Sequence, residues 1–230
     1  MIRTARPERV TDDRARSGLL TLVRWLSPAF PLGSFAYSHG LEAAVAAGDV
    51  RTASDLRDWV GDVIDHGSGR IDATLVAESL RGGADHAALA AVASAMAASK
   101  ERLAETEEQG AAFVRTVNGI AGNGIAAGGD LPAPLPVAVG RAAAVLGLPA
   151  ATVIALYLQS FATTLVLAGV RFIPLGQTEG AAVLDGLSSL IERVAGETAD
   201  ARIADAASSV FGADRAAMAH EALEVRIFRT

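Results

Sequence analysis

An all-α fold, a single-domain multi-helix bundle with a largely buried uncharged central helix, is predicted by three features of the 230-residue sequence. Much of the hydrophobic fraction of 51% is alanine, with aromatics at only 5%, which suits close-packed helices better than a sheet rich in β-branched residues. Apolar residues recur three and four positions apart in most segments, the period of a helix with one buried face. Residues 151–170 carry no formal charge, as expected of a helix buried on all sides. The same stretch is long enough to span a bilayer. Thr152, Gln159, Ser160, Thr163 and Thr164 interrupt it, however, and Arg171 follows directly with no aromatic belt or basic flank, so the buried helix is the reading adopted over a membrane span.

The elements follow in order. Residues 1–17 are arginine-rich and polar and read as a flexible N-terminal tail, without the apolar run of a secretory signal. The first helix is expected over 19–26, with Leu19, Leu22, Val23 and Leu26 on one face and Pro28 enforcing its stop. Two prolines and a glycine among the apolar residues of 27–35 describe a rigid, partly buried loop, after which a helix is expected over 35–47 with Gly48 to end it. Thr52 and Asp55 have the spacing of a capping box before the stripe Leu56, Trp59, Val60 and Val63. A short helix over 71–80 stops at Gly82-Gly83, and 85–120 reads as a long helix that can break near Ser99. Residues 122–136, with four glycines and three prolines, are the clearest loop. Helices then follow over 137–146, from Pro149 to before Pro174, over 177–194 and over 198–210. The domain organisation read from this pattern is a tail over 1–17, an all-helical domain over 18–212 and a C-terminal partner-binding tail over 213–230.

Several chemistries are excluded. No cysteine is present, which removes disulfides, thiolate metal sites and cysteine nucleophiles. The net charge is −6 and Lys100 is the only lysine, so a nucleic-acid partner is not expected. That lysine lies in Ser-Lys-Glu rather than in a glycine-rich phosphate loop, which rules out a Walker-type nucleotidase. His39, His66, His86 and His220 show no metal-ligand spacing and read as surface or hydrogen-bonding histidines. No metal, cofactor or catalytic residue is assigned. Glu105, Glu107 and Glu108 read as a solvated charge run. With no export signal, the expected compartment is the cytoplasm.

Three stretches carry a family resemblance. The first runs over 26–42 and contains Pro28, Pro31, Gly33, Phe35, Tyr37, Ser38, Gly40 and Glu42. The second covers Tyr157-Leu158-Gln159-Ser160 and then 168–178, where Arg171 ends the uncharged stretch and Gly176 and Gln177 close a Pro-Leu-Gly-Gln turn. The third is His220-Glu221 followed by Arg226-Ile227-Phe228-Arg229-Thr230. Together they resemble the UreF family of urease accessory proteins, in family order along most of the chain, with Ile227 and Thr230 standing where Leu and Ser are more usual. The resemblance implies an all-helical homodimer without catalysis of its own. It further implies partners: UreD, also called UreH, the GTPase UreG and, through that complex, apo-urease, which receives nickel. The quoted residues are the expected partner-binding set, and the tail is expected to order on a partner with Phe228 as its anchor.

Two other functions remain open at this level. A regulator of the UreG GTPase cycle would need a positioned guanidinium, for which Arg171, Arg226 and Arg229 qualify by residue type. A helical enzyme would need His39 or His220 as a general base, and the sequence supplies no accompanying constellation.

Overall fold

The computed structural model describes residues 7–121 and 131–230, which form ten α-helices with no strand among them. In chain order these are α1 (Pro7–Trp25), α2 (Leu41–Ala47), α3 (Ala53–His66), α4 (Ser68–Leu80), α5 (His86–Ala95), α6 (Lys100–Ala121), α7 (Leu135–Ala143), α8 (Ala150–Phe172), α9 (Gln177–Thr198) and α10 (Phe211–His220). Residues 1–6 of the expected tail and 122–130 of the expected loop lie outside the described residues.

The uncharged helix α8 is the hub, packed against α9, α4, α3 and α2, with only Leu167 and Arg171 exposed along its length. By length and composition α8 could cross a membrane. Its polar side chains are instead answered inside the protein. The Ser160 hydroxyl donates to the Leu26 carbonyl at 2.7 Å, Thr163 and Thr164 donate to carbonyls four residues back, and the Tyr157 hydroxyl donates to Asp72 at 2.7 Å. Burial of the helix therefore leaves these groups satisfied. On the other side of the core, α6 lies close enough to the strap preceding α7 that a Cβ on Gly110 would stand 1.9 Å from the Ala133 carbonyl oxygen. Only glycine allows that approach.

Most helix limits follow the local chemistry. Asp55 N donates to Thr52 Oγ1 at 3.2 Å while Thr52 N donates to the Asp55 carboxylate at 3.0 Å, a complete capping box at the start of α3. The break expected near Ser99 separates α5 from α6, and the Ser99 hydroxyl accepts from Arg102 N at 3.1 Å to cap the second helix. Pro149 caps α8, which ends before Pro174.

Four expectations are corrected. The first helix starts at Pro7, well ahead of 19, because the sequence of its early turns is polar and carries no apolar period to read. The helix expected over 35–47 begins only at Leu41, since His39 and Gly40 both have positive φ, 60° and 79°, and a single 3-10 turn at Ser34–Ala36 precedes them. Residues 198–210 are not a helix. α9 runs on to Thr198, and the Glu78 and Asp205 carboxylates then take the backbone amides of Ile203 and Arg202, leaving only a 3-10 turn at Ile203–Asp205. Part of the expected tail is helical, as α10, which packs on α2 and α6.

Candidate functional site

The site is built on α6. Glu101, Glu105 and Glu108 stand at i, i+4 and i+7 on that helix and so share one face. Two segments distant in sequence converge on this row, residues 34–42 and residues 220–230.

The first segment turns through His39 and Gly40. Gly40 is required twice over: its φ is +79°, and a Cβ there would stand 2.6 Å from Ala217 N, because α10 rests directly on this backbone. The turn delivers Glu42 into a buried position at the start of α2. Its carboxylate accepts from Ile227 N at 2.7 Å, Phe228 N at 2.9 Å and His220 Nε2 at 3.1 Å. One acidic side chain thus replaces a neighbouring strand for the backbone it meets.

His220 is fully buried, with Nδ1 at 2.6 Å from Glu101 and Nε2 toward Glu42. Carboxylates facing both ring nitrogens are satisfied together only when both nitrogens donate. Arg226 pairs with the other oxygen of Glu101, and Glu221 accepts from Lys100 N at 2.7 Å, capping α6.

Beyond this point residues 226–230 lie back across the first segment. Arg229 grips Glu108 through two nitrogens at 2.6 and 2.9 Å, and one of these also donates to the Tyr37 hydroxyl at 3.1 Å. Tyr37 donates to Glu108 at 2.6 Å, and the guanidinium lies over its ring, 5.4 Å from the centroid. Thr230 donates its hydroxyl to Glu105 at 2.9 Å and accepts from Ser38 N at 2.8 Å and from the Ser38 hydroxyl. Phe228, 4% exposed, packs on Phe172 with ring centroids 5.0 Å apart. Arg171 caps that pair, 5.5 Å above the Phe228 ring, and donates to the Phe35 carbonyl at 3.0 Å.

The electrostatics hold the arrangement charged. Burial opposes the ionised form of Glu105, but Arg102 beside it and the His39 ring prevail and bring its carboxyl down to about 2. Hydrogen bonds from Tyr37 and Arg229 hold the Glu108 carboxyl below its usual range. Burial pushes the Tyr37 phenol well up, with the Glu108 charge adding to the effect. Burial pushes His39 down, Arg102 adding to it. His39 also lines a cavity of about 200 Å³ shared with Asp72 and Arg102, where burial raises the Asp72 carboxyl to about 6. Among the described residues no group of three His, Asp or Glu side chains is arranged to hold a metal ion.

The sequence-selected residues divide accordingly. Tyr37, Ser38, Gly40, Glu42, Arg171, His220, Glu221, Arg226, Phe228 and Arg229 meet at this place, and Phe35 borders it on the outside. Gly33 turns the chain ahead of it, with φ +75°. Pro28 and Pro31 are exposed at the preceding loop, and Gly176 and Gln177 start α9, so these four brace neighbouring elements and do not join the cluster. The row on α6 escaped the sequence reading, because Glu105 and Glu108 were assigned to a solvated charge run. Only Glu107 of that run points away, toward Ser94 at 3.1 Å. The available signal was the spacing of 101, 105 and 108. Phe228, expected as an anchor for a partner, is instead buried on its own chain, and the exposed apolar side chains of the segment are Val225 at 87% and Ile227 at 73%.

Comparison with known proteins adds the family. The UreF family profile matches residues 50–188. The urease accessory protein UreF of Cereibacter sphaeroides strain KD131 / KCTC 12085 is 56% identical over 215 residues, covering 93% of this chain and 99% of that protein. The proteins of the same description from Jannaschia sp. strain CCS1 and Paracoccus denitrificans strain Pd 1222 are each 48% identical, over 95% and 96% of this chain and 97% and 99% of theirs. With a family profile across more than half of its length and relatives this similar from end to end, the chain belongs to the UreF family of urease accessory proteins.

Proposed function

We propose that this protein works as a non-catalytic adaptor in the cytoplasm, a homodimer that binds UreD (UreH) and recruits the GTPase UreG so that nickel is delivered to apo-urease. The observation that carries this reading is the folded-back segment 226–230. Glu42, Glu101, Glu105 and Glu108 fix its backbone and its arginines, while Val225, Ile227 and the neighbouring Phe35, the last 70% exposed, face outward. Apolar side chains held outward on a backbone fixed by satisfied charges suit a protein partner, because little ordering entropy remains to be lost on association.

The GTPase-regulator alternative has less support, since a guanidinium that reaches a phosphate must be free to move. Arg171, Arg226 and Arg229 are each held by a carbonyl or carboxylate of their own chain. A general base is also poorly served by His220, which is fully buried between two carboxylates.

The test is co-expression with UreD and UreG, followed by affinity purification. Ile227→Asp is expected to lose partner retention while leaving the melting temperature near that of the unaltered protein. Arg229→Ala, which unfastens the segment, is expected to lose retention and melt lower. Full retention by both variants, or turnover of any substrate by the isolated chain, would overturn the adaptor reading.

A further inference from the structure

Next to the folded-back segment, the outer face of α6 borders two open hollows of about 410 and 450 Å³. Glu108 and Ala111 line both, so the two hollows adjoin along α6 as a shallow trough, one half bordered by Phe35 and Tyr37 and the other by Pro132 and Pro134. Alanines supply much of its lining, from Ala36 and Ala112 to Ala90 and Ala133. Such small side chains leave room for the larger apolar side chains of another helix, the knobs-into-holes arrangement in which one surface supplies the volume the other lacks.

The charges on the trough select the occupant. Glu108 is spoken for, both oxygens being taken by Arg229, with Tyr37 on one of them. Arg115, on the same helix seven residues further on, is exposed on the wall and has no carboxylate partner among the described residues. At 1.5 Å per residue it stands about 10 Å along the axis from Glu108. An incoming helix therefore meets an unmatched cation near the Phe35 end. One exposed apolar helix face of this chain is a poor fit: Leu19, Leu20 and Val23 of α1 are flanked by Arg24, which would bring arginine against Arg115.

We propose that the trough is the seat of an amphipathic helix from a partner protein, with aliphatic side chains at i, i+4 and i+7 entering the alanine-lined floor and an Asp or Glu meeting Arg115. This deepens the adaptor reading and rests on it. The absence of native cysteines makes the test clean, because a single introduced thiol is unique. Ala112→Cys, carrying a photoactivatable crosslinker, is co-expressed with UreD and UreG, and the crosslinked peptide is identified by mass spectrometry. The expected product joins position 112 to a helical partner segment with an acidic residue, and exchanging charges, Arg115→Glu with the partner carboxylate replaced by Arg, restores binding that Arg115→Glu alone weakens about tenfold or more. Ala111→Trp, which fills the trough, is expected to prevent the crosslink. Partners that co-purify without a crosslink at position 112, or a crosslink to a second copy of this chain, would overturn the trough proposal while leaving the adaptor reading intact. Failure of the unaltered protein to retain UreD or UreG would overturn the adaptor reading itself.

Discussion

Asp72 accepts a hydrogen bond from Tyr157 at 2.7 Å, yet burial pushes its carboxyl up to about 6. The consequence for stability has a definite sign. An acid whose folded value lies above its unfolded one costs nothing while protonated in both states. It weakens the fold as pH rises from the ordinary carboxyl value of 3.8 through 6, where the folded protein must ionise a partly desolvated group. Asp72→Asn keeps an acceptor for Tyr157 and removes that cost, so the variant is expected to gain about 1–3 kcal/mol at pH 8 and little at pH 4. Thermal melts at the two pH values check it, and an unchanged melting temperature at pH 8 would contradict the assignment. Asp72 was not legible in the sequence. Nothing about one aspartate in an apolar stretch of α4 signals that Tyr157, 85 positions later, will meet it. Glu101, Glu105 and Glu108 were more accessible, since their spacing alone marks one helix face, but a charge run on a helix ordinarily faces water, and only the arrival of Arg226, Arg229 and Thr230 makes this one an inner wall.

At the scale of elements, residues 224–230 form no helix, yet they bury Phe228 against Phe172 and satisfy buried carboxylates at Glu42 and Glu105. Deleting them exposes that apolar contact and leaves those acids short of donors, a cost of several kcal/mol by the usual worth of such losses. The truncated protein is therefore expected to keep its helical circular dichroism but melt at least several degrees lower, besides losing its partners. An unchanged melting point would mean that the segment is held only weakly in solution. Helices with a clear apolar period or a proline stop were readable: α3 from its capping box, α8 from its uncharged run between Pro149 and Pro174. The elements missed have identifiable causes. α10 is short and its apolar face is mostly alanine, and the turn at His39 and Gly40 depends on α10 lying against it, a contact between positions more than 170 apart.

For the whole molecule, the fold class was legible because alanine content and an uncharged stretch of helical length report on packing throughout the chain. Placing α8 at the hub also ranks the local stabilities. Amides of α8 around Val153, Ile154, Leu158 and Ala162 are expected to exchange with solvent at the rate of global unfolding. Those of residues 13–17 in α1, exposed or half-buried, should exchange orders of magnitude faster. Hydrogen exchange read by mass spectrometry checks the ranking, and fast exchange in α8 would remove it from the core. The fastening of the 226–230 segment bears on biosynthesis as well. Its bonds join residues as far as 192 positions apart, and the residues supplying Arg226, Arg229 and Thr230 leave the ribosome after all of α1 through α10. Domains begin to fold while the chain is still being made. The core helices can thus assemble on the nascent chain, whereas the outward face of Val225 and Ile227 takes shape only after translation has passed it. A polypeptide stalled or cut short before Glu224 therefore lacks that face, even where its core helices have packed.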